Sequence, residues 1–293
     1  MDFRHLLQGL DVPLTGIALC LHKPPTRRER DALALMIDSA PALFEAYQAT
    51  HRRSPQATLQ ARRIMASFLM RSPGELVFVG LYRQNGWIER TAAELENNPL
   101  LRQVDDLTGC HFSPPDASTA GGQPGRAYFD LVPMPELAEL KGRLVVRDPG
   151  SRAYMRLAET TPLEILEIAR TPDLSPPMPD WRDLTLHTPT LRILPTRWAE
   201  QLRQWRGIYL IVDETDGARY VGAAYGEENL LGRWRAHVAH EIGVTAQLAR
   251  RNPDDFRFSI LDLLSPAATI DEVTRAEQQW MVRLHSKQYG LNA

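Results

Sequence analysis

The sequence is poor in cysteine, in long apolar runs and in net charge, and each shortage excludes a class of protein. Cys20 and Cys110 are the two cysteines among 293 residues, so a disulfide framework is excluded and a reducing compartment is expected. No run of about 18 apolar residues occurs, so we expect no membrane span. The first residues lack the basic and then apolar layout of a signal peptide, which predicts a cytoplasmic protein.

The net charge of −2 excludes a strong overall attraction for nucleic acid. Residues 196–293 carry 12 Lys and Arg against 13 Asp and Glu, so this part is also close to neutral. A nucleic-acid binder with this composition needs local basic faces. The pairs Cys20 with His22 and Cys110 with His111 offer zinc ligands in principle, but no paired CxxC motif supports a zinc site.

The first 71 residues are predicted to be mainly helical. Thr26 and Glu29 form a capping box for a helix that ends near Ser39. Ser54 followed by proline predicts a second start, with a helix that continues to Met70 on apolar residues at helical spacing.

Residues 75–170 are predicted to be α+β. The apolar run 76–82 reads as a buried strand, and Asn85-Gly86 predicts that it turns back as a hairpin. Further strands are predicted at 127–132, 143–147 and 163–168. Six prolines between residues 171 and 195 then mark a spacer. The predicted organisation is an α+β domain over 1–170, a proline-rich linker over 171–195 and a second domain over 196–293.

The second domain begins with a β-hairpin. Two apolar runs, 207–212 and 218–224, flank a polar loop that ends in Asp216-Gly217. Tyr209 and Tyr220 therefore lie on adjacent antiparallel strands, close enough to share a face. Tyrosine is common in strands, so the pair alone is equally consistent with a core.

Two helices that follow the hairpin carry charged groups in unusual positions. Arg233 and His237 are four residues apart and so share a helical face. A later helix, opened by a capping box at Thr269, places Glu277 within its apolar stripe, where an unpaired carboxylate is costly. Taken alone, a solvated Arg233 and a stripe-edge Glu277 are the simpler interpretations.

Five short motifs or single residues of this region, taken together, resemble the GIY-YIG nuclease superfamily. They are Gly207-Ile208-Tyr209, Tyr220-Val221-Gly222, Arg233 with His237, Glu277, and Gly290-Leu291-Asn292. They occur in order and at family-like spacing over about a third of the chain. The resemblance implies a three-stranded antiparallel sheet flanked by helices, with a third strand at 256–261.

The resemblance also implies roles for these residues in metal-dependent phosphodiester hydrolysis. Tyr209 would orient or deprotonate a water, with Tyr220 in support, and His237 would activate water or position phosphate. Arg233 would stabilise charge on phosphate, and Glu277 would bind Mg²⁺ or Mn²⁺. Structural roles near the site fall to Gly207, to Gly222, where substrate would approach the strand closely, and to Asn292, as a hydrogen-bond anchor.

We recognise no family motif in the first domain. Because GIY-YIG domains usually rely on an attached domain for target selection, the resemblance implies that the first domain is a candidate reader of the DNA target. The arginines singled out there are Arg143, Arg147, Arg152 and Arg156, which accompany Tyr154; Arg235 is a further candidate in the second domain. Arginine beside an aromatic ring suits phosphate contact with base stacking, although a solvated face is the simpler interpretation.

The whole chain is therefore predicted to be an endonuclease acting on DNA, in restriction or phage defence. The alternatives are a non-catalytic nucleic-acid-binding or regulatory module and an RNA-directed nuclease.

Overall fold

A computed structural model describes residues 1–51, 53–109, 126–150, 152–239 and 247–292. The chain divides into two compact units, Met1–Pro176 and Pro177–Ala293. Both units combine helices and sheet, which confirms the α+β class. Cys110 and His111, half of the conceivable zinc set, lie outside the described residues. Within the described residues no helix is both long and apolar enough to cross a membrane.

The first unit is built on a seven-stranded mixed sheet. Its strands are β1 (Ile17–His22), β2 (Ile64–Ser72), β3 (Glu75–Arg90), β4 (Arg126–Pro133), β5 (Leu144–Arg147), β6 (Met155–Leu157) and β7 (Ile165–Ile168). Its helices are α1 (Phe3–Leu7), α2 (Arg27–Ser39), α3 (Pro41–Gln48), α4 (Arg53–Gln60), α5 (Ala92–Glu96) and α6 (Pro99–Thr108). The strand order is β6-β1-β2-β3-β5-β7, and β4 pairs with the distal half of β3. β1 and β2 are parallel and the other pairs are antiparallel.

Two sequence predictions in this unit are wrong. The helix that begins at residue 53 ends at Gln60, and Ile64–Met70 belong to strand β2. The first six residues of β2 are buried, so the apolar run reflects a strand covered on both faces, which spacing alone does not separate from a helix. The chain also does not reverse at Asn85-Gly86, because β3 continues through a bulge between Gln84 and Trp87. The reversal lies at Gly74 (φ 86°), between β2 and β3.

The second unit contains an antiparallel four-stranded sheet. Its elements are β8 (Thr185–His187), α7 (Thr188–Arg192), α8 (Thr196–Gln204), β9 (Arg206–Asp213), β10 (Arg219–Ala224), α9 (Asn229–Val238), β11 (Phe256–Leu264), α10 (Ile270–Arg283) and α11 (Ser286–Tyr289). The strand order is β10-β9-β11-β8, so β10 is an edge strand. The β9-β10 hairpin and the strand at 256–261 are where the sequence predicts them.

The fourth strand is a correction to the three strands that the resemblance implied. Residues 185–187 of the proline-rich segment pair with β11 in the register His187 to Arg257. Leu184, Leu186 and Leu191 from the same segment enter the core of the second unit. Prolines at 176, 177 and 179 precede this stretch and Pro189 lies in the first turn of α7, so none interrupts β8. The part of the segment after Pro176 therefore belongs to the second unit.

The two faces of this sheet are covered by different helices. Tyr209, Tyr220 and Trp234 belong to one buried cluster, with α8 and α9 on that face. Val221 and Val273 belong to a second cluster, with α10 on the opposite face. The sheet thus separates the tyrosines from α10.

Candidate active site

The β9-β10 hairpin brings the two tyrosines together on one face. Tyr209 is paired with Gly222 and Tyr220 with Ile211, so the phenols are diagonal neighbours with ring centroids 6.4 Å apart. Both are buried, with exposed fractions of 0% and 6%. Burial raises the pKa of Tyr209 and of Tyr220 above the ordinary phenol value, so both are protonated at neutral pH.

Gly222 makes this arrangement possible because the Tyr209 ring crosses directly over it. A Cβ atom at residue 222 would lie 2.3 Å from the Tyr209 hydroxyl oxygen and 2.8 Å from Cε1 of Tyr220. The phenols therefore account for a glycine here without invoking a close substrate. Gly207 is constrained by backbone, since its Cβ would lie 2.2 Å from the carbonyl oxygen of Asp262, next to the bulge in β11.

His237 on α9 forms a hydrogen bond with Tyr209. The phenol oxygen lies 2.7 Å from Nε2 of His237, and the histidine is only 1% exposed. Burial, with the positive charge of Arg233 in addition, lowers the pKa of His237 to about 3, so the imidazole is neutral at neutral pH. Its Nδ1 atom is buried and has no hydrogen-bond partner among the described residues. The hydrogen bond therefore joins a neutral phenol and a neutral imidazole.

Arg233 lies one helical turn before His237 and faces the same phenols. It is half-buried. Burial acts to lower its pKa, but the hydroxyls of Tyr209 and Tyr220 outweigh this and raise the pKa, which keeps the guanidinium charged. Arg235 on the same helix is exposed, as helical geometry requires for a residue two positions away. α9 therefore presents one fixed cation beside the tyrosine pair.

Glu277 reaches the site from the other side of the sheet. Helix α10 starts at the capping box of Thr269 and Glu272, as the sequence predicts, and packs on β9 and β10. Glu277 is half-buried, and its carboxylate accepts a hydrogen bond from the backbone N–H of Ala223 on the edge strand. Burial raises its pKa above the ordinary value, although Ala223, Arg233 and Lys287 oppose that shift.

Asn292 forms hydrogen bonds along the free edge of β10, the edge that Glu277 also contacts. Its Oδ1 accepts a hydrogen bond from Val221 N at 2.8 Å, and its Nδ2 donates to Val221 O at 2.7 Å. Leu291 N also donates to Arg219 O at 2.8 Å. The side chains of Asn292 and Glu277 and the backbone of Leu291 thus satisfy successive edge groups of the strand that carries Tyr220 and Gly222.

The donor set fits a weakly ligated divalent cation. No group of three or more His, Cys, Asp or Glu side chains suited to a metal ion occurs among the described residues. Glu277 is a single half-buried carboxylate whose burial disfavours its charge, and a cation would offset that cost. Mg²⁺ commonly takes one or two protein carboxylates and completes its shell with water and substrate phosphate. Glu277 therefore fits Mg²⁺ or Mn²⁺ better than a closed structural metal.

The arginines of the first unit do not form the single cluster that the sequence suggested. Arg143 directly precedes β5 and Arg147 is its last residue, whereas Arg156 lies on β6. Strands β1, β2 and β3 lie between β5 and β6 in the sheet. Arg143 donates to two backbone carbonyls and Arg147 is paired with Glu164 at 2.6 Å. Arg152 is exposed. Strand order is set by contacts distant in sequence, which is why neighbouring arginines end far apart.

Two residues near the site have no place in the sequence-based set. Tyr225 is exposed just after β10 and its hydroxyl contributes to the raised pKa of Arg233. Lys287 on α11 lies close enough to Glu277 to favour its ionised form. The sequence offers one indication of Tyr225, because this residue directly follows β10, the strand that carries Tyr220-Val221-Gly222.

Comparisons with known proteins give one group of similar structures. No protein-family model matches the sequence, and no curated protein matches it. The catalytic domain of the intron endonuclease I-TevI, in a mutant form, is 26% identical over 30% of this chain and 93% of that chain, with a TM-score of 0.26. A second structure of the catalytic domain of the homing endonuclease I-TevI is 27% identical over 29% of this chain and 95% of that chain, with a TM-score of 0.25.

Proposed function

We propose that this protein is a metal-dependent endonuclease of the GIY-YIG type that hydrolyses phosphodiester bonds in DNA. The observation that carries the proposal is the 2.7 Å hydrogen bond between Tyr209 and His237 beside a half-buried Arg233. A purely structural core has no need for a phenol, an imidazole and a guanidinium on one face. The sequence resemblance assigns the same residues to phosphodiester hydrolysis.

The residues supply proton transfer and charge stabilisation. A water bound by the two phenols loses its proton to Tyr209 as Tyr209 passes its own proton to Nε2 of His237. The low pKa of His237 disfavours this step in the free protein, and a phosphate beside the imidazole raises its proton affinity. Arg233 binds two phosphate oxygens through its planar fork and stabilises the extra negative charge at phosphorus.

Glu277 would hold the divalent ion, and the neighbouring Lys287 favours its ionised form. When bound, Mg²⁺ or Mn²⁺ supplies electrostatic stabilisation of the phosphate and of the leaving oxygen. The Ala223 backbone donor fixes the carboxylate at the edge of β10, the strand that also carries Tyr220.

Target choice would belong to the first unit, since the second unit is close to neutral and should bind DNA weakly on its own. A separate recognition unit joined to a compact nuclease suits restriction or phage defence, and we propose that role.

The test is cleavage by the purified full-length protein. It is incubated with supercoiled plasmid, unmodified or carrying modified cytosines, with single-stranded DNA and with RNA, with Mg²⁺ or with excess chelator. We expect nicked or linear plasmid with Mg²⁺ and intact plasmid with chelator. Cleavage of RNA alone would make it an RNA nuclease. Binding without cleavage under every condition would favour a non-catalytic nucleic-acid-binding module.

The matched variants are Glu277→Gln and Glu200→Gln, the latter an exposed glutamate on α8. We expect Glu277→Gln to abolish cleavage while DNA affinity stays within several-fold, and Glu200→Gln to cleave normally. Undiminished cleavage by Glu277→Gln would remove the metal role from this residue.

A further inference from the structure

Tyr225 is an exposed aromatic residue at the edge of the candidate active site. The two phenols of the β9-β10 hairpin are buried, whereas Tyr225 is 43% exposed. It directly follows β10, and Ala223, whose backbone N–H holds the Glu277 carboxylate, lies two residues before it. Its hydroxyl also lies close enough to Arg233 to contribute to the raised pKa of the guanidinium. The ring is therefore open to solvent beside the groups proposed to bind phosphate and metal.

A single guanidinium holds the main chain of Tyr225 in place. Arg206, the first residue of β9, donates from Nη2 to the carbonyl oxygen of Tyr225 at 3.0 Å. Its Nη1 donates to the carbonyl oxygens of Pro266 and Ala268 at 3.1 and 2.7 Å. Because those two residues precede α10, the same side chain ties the end of β10 to the start of the helix that carries Glu277. The backbone of Tyr225 is thus anchored, although its ring is exposed.

The charges next to Tyr225 favour a base over a phosphate as its partner. Glu227 and Glu228 follow within three residues, and both are exposed. Glu228 is paired with Arg203 at 3.2 Å, whereas Glu227 adds a negative charge to this turn. A phosphate placed against the ring would be repelled by that charge. A base is uncharged, and its face stacks on an aromatic ring whatever the identity of the base.

Bases inside a duplex have both faces covered by their neighbours, so a side-chain ring stacks on one only where a base step is opened. Opening costs least for a mismatched or damaged base, and stacking on an aromatic side chain offsets part of the cost. We propose that Tyr225 stacks on a base that is opened out of the DNA stack beside the scissile phosphate. Cleavage then favours sites where the duplex opens easily. The inference rests on the proposed function and adds a residue that selects the local state of the DNA.

The test locates the stacked base by photo-crosslinking, without cleavage. Full-length Glu277→Gln protein in excess chelator is irradiated with duplexes that carry 5-iodouracil at successive positions, paired with adenine in one set and opposite thymine in the other. We expect crosslinks at Tyr225, identified by mass spectrometry, with a higher yield for the mispaired set, because its base is already unpaired. Bound DNA that gives crosslinks only at other residues, or none, would overturn the proposal.

Substitutions separate the role of the ring from that of the hydroxyl. Tyr225→Ala should weaken binding of the mispaired duplex about tenfold, as the loss of one base stack predicts. Tyr225→Phe should stay within roughly twofold, because the stacking ring remains. Tyr289→Ala, at a tyrosine that is 77% exposed on α11, is the matched control and should bind normally. Equal losses in Tyr225→Phe and Tyr225→Ala would assign the effect to the hydroxyl beside Arg233 and overturn the stacking role.

The salt dependence of binding distinguishes a stacked base from a phosphate contact. Because stacking releases no counterions, Tyr225→Ala should leave the slope of log affinity against log salt concentration unchanged. Arg233→Ala, which removes a proposed phosphate contact, should reduce the size of that slope by roughly 0.7–0.9. A similar reduction in Tyr225→Ala would show that this variant acts through Arg233, and the stacking role would fail.

Plasmid cleavage by the wild-type protein with Mg²⁺ separates this inference from the proposed function. Cleavage without crosslinks at Tyr225 would overturn the stacking role alone. Crosslinks at Tyr225 without cleavage would leave the stacking role standing and overturn the nuclease.

Discussion

The Tyr209 phenol crosses the neighbouring strand at Gly222, and the contact distances leave no room for a β-carbon there. The oxygen of that phenol is also the atom that meets His237, so a shift of its ring would change the proton path as well as the packing. Substitution at residue 222 should therefore affect chemistry more than a typical strand substitution does.

We predict that Gly222→Ala lowers the cleavage rate by about 100-fold or more, since misplacing a catalytic group by about 1 Å has effects of that size. The crowding should also reduce the free energy of unfolding by about 1–3 kcal/mol. Single-turnover cleavage and urea unfolding measure the two effects. Gly226→Ala is the control, because a Cβ there meets no atom within 4 Å. Equal behaviour of the two variants would contradict the assigned position of the Tyr209 ring.

Arg233 gives a second prediction at this scale. Arg233→Ala should reduce the cleavage rate by about 10²–10³, the usual cost of one preorganised charge donor. Arg233→Lys should recover little, because a point charge does not replace the two-pronged guanidinium. Arg275→Ala, an exposed arginine on α10, serves as the control in the same single-turnover assay. Near-normal turnover in Arg233→Ala would reduce this residue to a surface charge.

At the scale of elements, the edge strand β10 depends on a side chain at the far end of the chain. Asn292 makes two hydrogen bonds to Val221, 71 residues earlier, in place of a neighbouring strand. We predict that Asn292→Ala reduces the free energy of unfolding by about 1–3 kcal/mol, because two edge groups lose their partner. Gln288→Ala, exposed on α11, is the control in urea unfolding. Loss of less than about 0.5 kcal/mol would mean that water replaces the amide at no cost.

The sequence predicts those elements whose signals are local. The capping boxes at Thr26 and Thr269 fix the starts of α2 and α10, and the Asp-Gly loop fixes the hairpin that aligns Tyr209 with Tyr220. Elements that depend on distant partners were missed. β8 is defined by its pairing with β11, about 70 residues later in the chain, which the local sequence does not indicate. The strand at 64–70 is distinguished from a helix by burial on both faces, which the structure alone shows.

The same distinction applies to the candidate sites. Arg233 and His237 share a face because they are four residues apart, a relation that sequence spacing carries. Glu277 lies on the opposite face of the sheet and contacts β10 at Ala223. This position follows from the packing of α10 on the sheet, and the spacing of residues in the sequence does not predict it. The separation of Arg143 from Arg156 depends on strand order in the same way.

For the whole molecule, buried histidines should make stability depend on pH. His22, His51 and His237 have folded pKa values near 4, 3 and 3, below the 6.5 of the unfolded chain. The unfolded state thus binds more protons between these values, so stability is complete above about pH 6.5 and is lost as pH falls.

We expect each of these histidines to reduce the free energy of unfolding by about 2 kcal/mol between pH 7 and pH 5. Urea unfolding of the full chain at both pH values measures the loss. His51→Asn should remove one part of the pH effect, whereas the exposed His5→Asn should leave it unchanged. A stability that is equal at the two pH values would show that these imidazoles titrate normally.

The boundary between the units decides how the chain can be divided. The core of the second unit includes Leu184, Leu186 and Leu191, and β8 covers the outer edge of β11. A fragment that starts at residue 196, where the sequence placed the domain, loses these leucines and exposes that edge. An uncovered edge strand with an open apolar core favours aggregation. We therefore expect residues 177–293 to fold cooperatively and residues 196–293 to aggregate or unfold at much lower urea.

Division of labour between the units gives the last prediction. If chemistry lies in the second unit and target choice in the first, residues 177–293 should nick plasmid slowly and without preference. Residues 1–176 should bind duplex DNA with an affinity that falls as salt rises, because arginine–phosphate contacts release counterions. Labelled duplexes titrated at two salt concentrations, with parallel plasmid assays, measure both. If the 177–293 fragment alone matches the affinity and selectivity of the full chain, the first unit does not choose the target.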